Sequence, residues 1–173
     1  MTPAEQRVRS LPIWQGLKDL VPLKGGVSNA SFTVTDKTGR YVARVGEDYP
    51  FHQVSRDRET IASRAAYAAG LSPEVVHTAP GIMVVRYLDA RTYAEADVRT
   101  NAAACVEIVK RCHREMGRRI TGQGAIFWVF QILRDYAETL RIANHRSAPQ
   151  LADWMAITDK LETAQVPLPV IFG

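Results

Sequence analysis

Apolar and polar positions alternate in short runs over the first half of the chain and recur at helical spacing over the second. Leu20 to Gly26 and Ser31 to Asp36 read as extended segments, and Asp36-Lys37-Thr38-Gly39 is a turn sequence. Tyr41 to Val45 then alternates, with Tyr41, Ala43 and Val45 on one face and Val42 and Arg44 on the other. These segments predict a three-stranded antiparallel meander. Arg56 to Ala69 is alanine-rich and predicts a helix stopped by Gly70 and Pro73. Extended runs around Val75-Val76-His77 and from Ile82 to Leu88 flank the turn residues Ala79-Pro80-Gly81. The expectation is a five-stranded sheet with one helix inserted after its third strand.

From there the period becomes helical. Thr92-Tyr93-Ala94-Glu95 has the form of a capping box opening a helix, in which a hydroxyl and a carboxylate satisfy orphan amides. Val98, Ala102, Cys105, Val109, Cys112 and Met116 follow as a stripe, and Gly117 ends it. A second helix is expected over Ile126 to Ile142. Ser147-Ala148-Pro149-Gln150 reads as another capping box, before a helix with Leu151, Trp154, Met155, Thr158 and Leu161 inward. Pro167 and Pro169 then precede the apolar run Val170-Ile171-Phe172 and the closing Gly173, which read as a short buried strand. The class is therefore α+β, with a sheet portion and a helical portion.

Composition narrows the setting. With 173 residues, 46% of them apolar, the chain can bury a real core. No apolar run approaches the roughly 18 residues that span a bilayer, and the N-terminus lacks a signal-peptide core. Cys105 and Cys112 share a helix face and read as core thiols. These features lead to the expectation of a cytoplasmic protein without a membrane partner. The net charge is +4, and the densest basic cluster is Lys110, Arg111, His113, Arg114, Arg118 and Arg119. No aromatic residues interleave with these cations as single-strand binding requires, and a helix C-terminus favours cations in any case. No nucleic-acid partner is expected. Zinc-ligand spacing, a Walker loop and a GxSxG elbow are absent from the sequence.

The chemistry-bearing stretch is Lys24-Gly25-Gly26-Val27-Ser28-Asn29-Ala30-Ser31-Phe32. A loop free of bulky side chains lets backbone N–H groups approach an anion, with the Ser28 hydroxyl as a further donor. The same residues would equally serve a hairpin turn that needs glycine's backbone freedom. Arg44 is either an exposed strand arginine or a cation aimed beneath that loop, and Glu59 either a solvated helix acid or its partner. Their order favours the functional reading: glycine-rich loop, strand cation, helix acid, then a strand leading into helices.

In that order, Gly25-Gly26-Val27-Ser28-Asn29, Tyr41-Val42-Ala43-Arg44-Val45, Arg58-Glu59, Leu71-Ser72-Pro73 and Met83-Val84-Val85-Arg86-Tyr87-Leu88 resemble the N-terminal part of choline/ethanolamine kinases and aminoglycoside phosphotransferases. The resemblance extends to Cys112-His113, similar to that family's hydrophobic-His near the end of its first large helix; His113 itself is assigned no catalytic role. It implies a protein-kinase-like fold, with residues 1–89 as the nucleotide-binding lobe and 90–173 as part of a helical lobe. It implies ATP and Mg²⁺ as cofactors of the complete enzyme and transfer of the γ-phosphoryl group to a small-molecule hydroxyl, of choline or ethanolamine first, then of an aminoglycoside or thiamine. By the resemblance, Gly25, Gly26, Ser28 and Asn29 would cover the phosphates. Arg44 would contact the α- and β-phosphates with Glu59 holding it, arginine at this position being familiar in the choline-kinase branch. Backbone groups of Arg86 and Leu88 would meet adenine, although the same strand would serve simply as a central core strand. Ala90 departs from the family's usual glycine, and the loop lacks a full GxGxxG.

The family's His-x-Asp-x-x-x-x-Asn loop and its later metal-binding Asp have no counterpart in these residues. His52, His77, His113 and His145 all precede the required point, and none has Asp two positions later. The resemblance therefore implies the N-terminal portion of a phosphotransferase, ending at the strand that leads to the catalytic loop and inactive alone. The other expectation is a non-catalytic kinase-like binding or interaction module. Helices from Ala94 onward are expected to leave apolar surface exposed and to self-associate through it.

Overall fold

The computed structural model describes residues 1–24, 29–122 and 127–165. The chain divides into two compact units, Met1–Gly122 and Gln123–Val170. In the first, β1 (Asp19–Leu23), β2 (Ala30–Thr35), β3 (Arg40–Val45), β4 (Val75–Ala79) and β5 (Ile82–Arg86) form one antiparallel sheet in the order β1-β2-β3-β5-β4. Helix α2 (Arg56–Ala68) sits between β3 and β4 in sequence and packs on β4. The expected five-stranded sheet with its inserted helix is what the chain forms.

The period-two pattern decides the two faces. Phe32, Val34, Tyr41, Ala43, Val45, Ile82 and Val84 are buried together on one side. The N-terminal segment covers them. Helix α1 (Pro3–Arg9) inserts Val8, which is fully buried, and Leu11, Ile13, Trp14 and Leu17 pack beside it. The sequence reading did not foresee α1, although its start carries a complete capping box: Thr2 accepts from the Glu5 amide at 3.2 Å while the Glu5 side chain accepts from Thr2. The opposite face is more polar. Register places Ser31, Arg44, Met83 and Thr78 side by side across β2, β3, β5 and β4.

The β2–β3 turn forms as expected, held from within by Asp36. Its Oδ1 accepts from the Thr38 amide at 2.7 Å and from the Gly39 amide at 3.1 Å, and its Oδ2 accepts from the Gln15 amide at 2.9 Å. A buried carboxylate taking several N–H groups is a satisfied one. At the other end of the unit, Ala65, Ala69 and Met116 make a second cluster with Cys112, Leu71 and Ile120. Arg111, from the basic cluster, donates to the Ala69 carbonyl at the C-terminus of α2. That contact gives part of the cluster a structural task of the kind expected of cations near helix ends.

Several local expectations need correction. The helix expected from Thr92 onward is two helices, α3 (Glu95–Thr100) and α4 (Ala102–Glu115), broken at Asn101. The Asn101 amide side chain donates to the Asp97 carbonyl at 2.8 Å and the Thr100 hydroxyl to the Ala96 carbonyl at 2.9 Å, so polar side chains compete with the helix ladder there. Thr92 does not cap α3. The Asp97 carboxylate accepts from the Ala94 amide at 2.8 Å and from Arg91, and the helix starts later. Along α3 and α4 the stripe is buried only at its end: Met116, which caps α4, is buried, whereas Val98 on α3 and Val109 on α4 are exposed.

The second unit holds α5 (Val129–Ile142) and α6 (Leu151–Thr163), which pack on each other. Helix α5 begins after Trp128, whose backbone is extended and whose indole N–H donates to Glu162 at 2.9 Å. Ser147 forms no capping hydrogen bond; Pro149 instead lies in a single 3-10 turn, Ala148–Gln150, ahead of α6. Leu151 and Thr158 are buried as expected, but Trp154 and Leu161 are exposed. Arg134 bridges Asp159, at 2.6 Å, and Glu162. No helix among the described residues is long and apolar enough to cross a membrane. The expected strand Val170-Ile171-Phe172 lies outside the described residues.

Candidate functional site

Strand alternation puts Arg44 on the polar face of β3, and helical spacing puts Glu59 on the first turn of α2. The two meet: Arg44 Nη2 lies 2.6 Å from Glu59 Oε1. Oε1 is buried and receives no well-aligned N–H, so this contact is an ion pair and not a directed hydrogen bond. The other oxygen, Oε2, accepts from Arg56 Nη1 at 2.7 Å. One carboxylate is thus shared by two guanidinium groups. The side chain of Arg44 is 40% exposed against 22% for Glu59, so the pair is anchored on the helix and open at the strand.

These residues line a pocket of about 400 Å³. Asn29 enters it from the start of β2, Gly46 from the end of β3, and Thr78 to Met83 from the β4–β5 hairpin. Two glycines permit this closeness. A Cβ on Gly46 would stand 2.3 Å from Asn29 Oδ1 and 2.9 Å from Arg56 Nη2. Gly81 has φ of +66°, and a Cβ there would stand 2.6 Å from the Gly46 carbonyl oxygen; the Gly46 amide in turn donates to Gly81 O at 2.9 Å. Asp57 also lines the pocket, so two cations face two acids there; the half-open Arg44 guanidinium and the Asn29 amide side chain are the donors it offers to an anionic ligand group.

The other expected site residues fall as follows. Asn29 joins Arg44 and Glu59 at the pocket. Gly25, Gly26 and Ser28 lie outside the described residues. Arg86 ends β5 with its amide already donating to the Glu74 carbonyl at 2.9 Å. Its guanidinium lies on the other face from Arg44, 5.1 Å from the Tyr41 ring centroid, and donates to the Tyr41 hydroxyl at 3.2 Å. Leu88 is exposed, and its carbonyl accepts from the Ala90 amide at 3.0 Å.

The Arg86 contact is the start of a directed chain. The Thr38 hydroxyl donates its proton to Asp36 Oδ1 at 2.7 Å, so across the 2.6 Å to Tyr41 it can only accept. Tyr41 therefore donates to Thr38 and accepts from Arg86. The Thr38 hydroxyl, the Gln15 amide and further backbone amides hold the Asp36 carboxyl down at about 2, against a smaller opposing effect of burial.

Arg56 and Gly46 are the residues that sequence reading missed. Arg56 sits three positions before Glu59, a spacing that puts both on one helix face. The closeness of Gly46 to Gly81 left no sequence signal, because the contact is between backbones.

No protein-family model matches the sequence, and no curated protein matches it significantly. Solved structures do match in fold. A choline kinase from Cryptosporidium parvum Iowa II is 15% identical with a TM-score of 0.62, over 92% of this chain and 49% of that one. An ethanolamine kinase of Plasmodium vivax is 13% identical with a TM-score of 0.54, over 72% of this chain and 37% of that one. The choline kinase LicA from Streptococcus pneumoniae is 15% identical with a TM-score of 0.51, over 84% of this chain and 56% of that one. The chain spans from 37% to 56% of the length of these three structures, and over that span it has the fold of choline and ethanolamine kinases.

Proposed function

We propose that the chain carries the nucleotide-positioning part of an ATP-dependent phosphotransferase acting on a small-molecule hydroxyl, of the choline or ethanolamine type. The observation that carries this reading is the Arg44–Glu59 ion pair at 2.6 Å, joining the third strand to the inserted helix beside a pocket. Phosphoryl transfer relies on positioning and charge neutralisation more than on covalent chemistry by the protein. A strand arginine steered by a helix glutamate supplies both on the nucleotide side.

In this reading residues 1–89 are the nucleotide-facing lobe and the helices from residue 90 begin the acceptor-side lobe. ATP would lay its phosphates toward Arg44 and Asn29, beneath the loop of Gly25, Gly26 and Ser28, and supply the transferred phosphoryl group. The backbone at Arg86 and Leu88 would border adenine. The Arg86 amide is engaged by the Glu74 carbonyl, the Tyr87 amide by the Arg40 carbonyl and the Leu88 carbonyl by the Ala90 amide, so the Leu88 amide is the group of that stretch best placed for the base. The fold likeness implies Mg²⁺ alongside the nucleotide; among the described residues no group of three or more His, Cys, Asp or Glu side chains forms a metal-ligand cluster. The acceptor class rests on the fold likeness to choline and ethanolamine kinases alone.

The test is a calorimetric titration of the purified chain with ADP and, separately, with AMP. Saturable binding of ADP that Arg44→Met weakens supports the reading, and no binding of either nucleotide contradicts it. Exposed Val106, Ile108 and Val109 on α4 support the associated proposal of self-association, which light scattering over a concentration series tests.

A further inference from the structure

We propose that Arg56 is a positioning residue, which locks the Glu59 carboxylate and through it sets the direction of the Arg44 guanidinium. The nucleotide part of the inference rests on the function proposed above; the geometric part stands on the contacts themselves.

Arg56 is placed from several directions. Its Nε donates to the Glu47 carbonyl at 2.9 Å, its own amide donates to Asp48 Oδ1 at 2.7 Å, and its Nη1 donates to Glu59 Oε2 at 2.7 Å. Its side chain is 14% exposed, the least of the three charged groups. The side-chain carboxylate of the same Glu47 accepts from Arg7 Nη1 at 2.6 Å, and Arg7 Nη2 donates to the Pro80 carbonyl at 2.6 Å. Arg56 is therefore tied to α1 and, through Arg7, to the β4–β5 hairpin. Arg44 is not: among the described residues Glu59 is its charged partner, and that contact lacks hydrogen-bond alignment.

The asymmetry has a mechanical meaning. A carboxylate rotates broadly about its last side-chain torsion unless one oxygen is fixed. Arg56 fixes Oε2, which leaves Oε1 facing the strand at the place where Arg44 meets it. Without Arg56, Glu59 would turn to face either the strand or solvent, and Arg44 would follow it. Gly46 belongs to the same device, since a Cβ there would press on Arg56 Nη2 and on Asn29 Oδ1.

The test needs no turnover. In the ¹⁵N-labelled chain, NMR reads rotation of the Arg44 guanidinium from exchange between its Nη signals. Arg56→Met is expected to speed that rotation by about tenfold, the worth of one charge-assisted hydrogen bond, and Arg56→Lys to restore part of the restraint. Adding Arg56→Met to Glu59→Gln should change nothing further. Unchanged Arg44 rotation in Arg56→Met overturns the proposal. Should Arg56→Met not fold, Gly46→Ala disturbs the same guanidinium with every charge kept, and unchanged rotation there overturns it equally. With ADP as the probe, Arg56→Met is expected to weaken binding while adenosine binding holds, because the effect is on phosphate contacts. Equal ADP affinity in wild type and Arg56→Met overturns the positioning role alone. A wild-type chain that binds no ADP overturns the nucleotide reading, and the rotation measurement then decides the role of Arg56 by itself.

Discussion

Arg44 and Glu59 close a link between strand and helix at 2.6 Å, with Glu59 the more buried of the two side chains. Glu59→Gln keeps the shape and removes the charge that two guanidinium groups share. The expected result is a modest loss of stability, about 1 kcal/mol for a half-open ion pair, measured by chemical denaturation. ADP affinity should fall further than stability does. A variant as stable as wild type and unchanged in ADP affinity would remove the pair from the account.

Asp36 makes stability depend on acid. Its carboxyl is held down to about 2 in the folded chain, below the ordinary aspartate value of 3.8, so the folded state favours the ionised form. The contribution is therefore present above about pH 4 and is lost as pH falls from there towards 2. Melting temperatures of wild type and Asp36→Asn should differ at neutral pH and converge near pH 2. A gap that stays constant across that window would contradict the assignment.

The Tyr41 hydroxyl relays between Arg86 and Thr38 on the same turn. Tyr41→Phe leaves the ring in the core and removes the relay, at an expected cost of about 1 kcal/mol. Denaturant midpoints of the variant and wild type check it, and an unshifted midpoint would show the relay to be idle.

Gly81 carries φ of +66°, and a Cβ there would stand 2.6 Å from the Gly46 carbonyl oxygen, with Arg7 Nη2 at 2.8 Å and Glu47 Oε1 at 3.2 Å beside it. Gly81→Ala meets backbone, which cannot swing aside, as well as left-handed strain; about 2 kcal/mol is expected. A melt within a degree of wild type would show that the hairpin relaxes freely.

Val8 is fully buried against the sheet. Val8→Ala should cost about 2 kcal/mol, as for other truncations in packed cores. An exposed Val109→Ala, on α4, should cost little by comparison. Equal effects of the two would show that α1 is not part of the core.

The sheet was legible because alternation fixes which side of a strand is apolar, and Tyr41, Ala43 and Val45 are buried together as their spacing requires. Arg44 and Glu59 were legible as a pair only through their order, which matched a familiar arrangement. Three kinds of feature were not. Helix α1 was overlooked although Thr2 and Glu5 carry its signal, because a short apolar stripe around Val8 looks weak in isolation. The break at Asn101 depends on side chains choosing carbonyls over solvent, which periodicity does not report. The capping boxes expected at Thr92 and Ser147 lost to local competitors, the Arg91–Asp97 pair and the Pro149 turn. Arg56 escaped notice because its role comes from Glu47 and Asp48, on the loop before α2.

The central claim is that Arg44 is a phosphate-contacting cation held ready by Glu59. Calorimetry of wild type and Arg44→Met against ADP and adenosine tests it most directly, with circular dichroism to show that both proteins fold alike. Wild type should bind ADP more tightly than adenosine, and Arg44→Met should lose about tenfold in ADP affinity with little change for adenosine. Equal ADP affinity in the two proteins, or no ADP binding by the folded wild type, would contradict it.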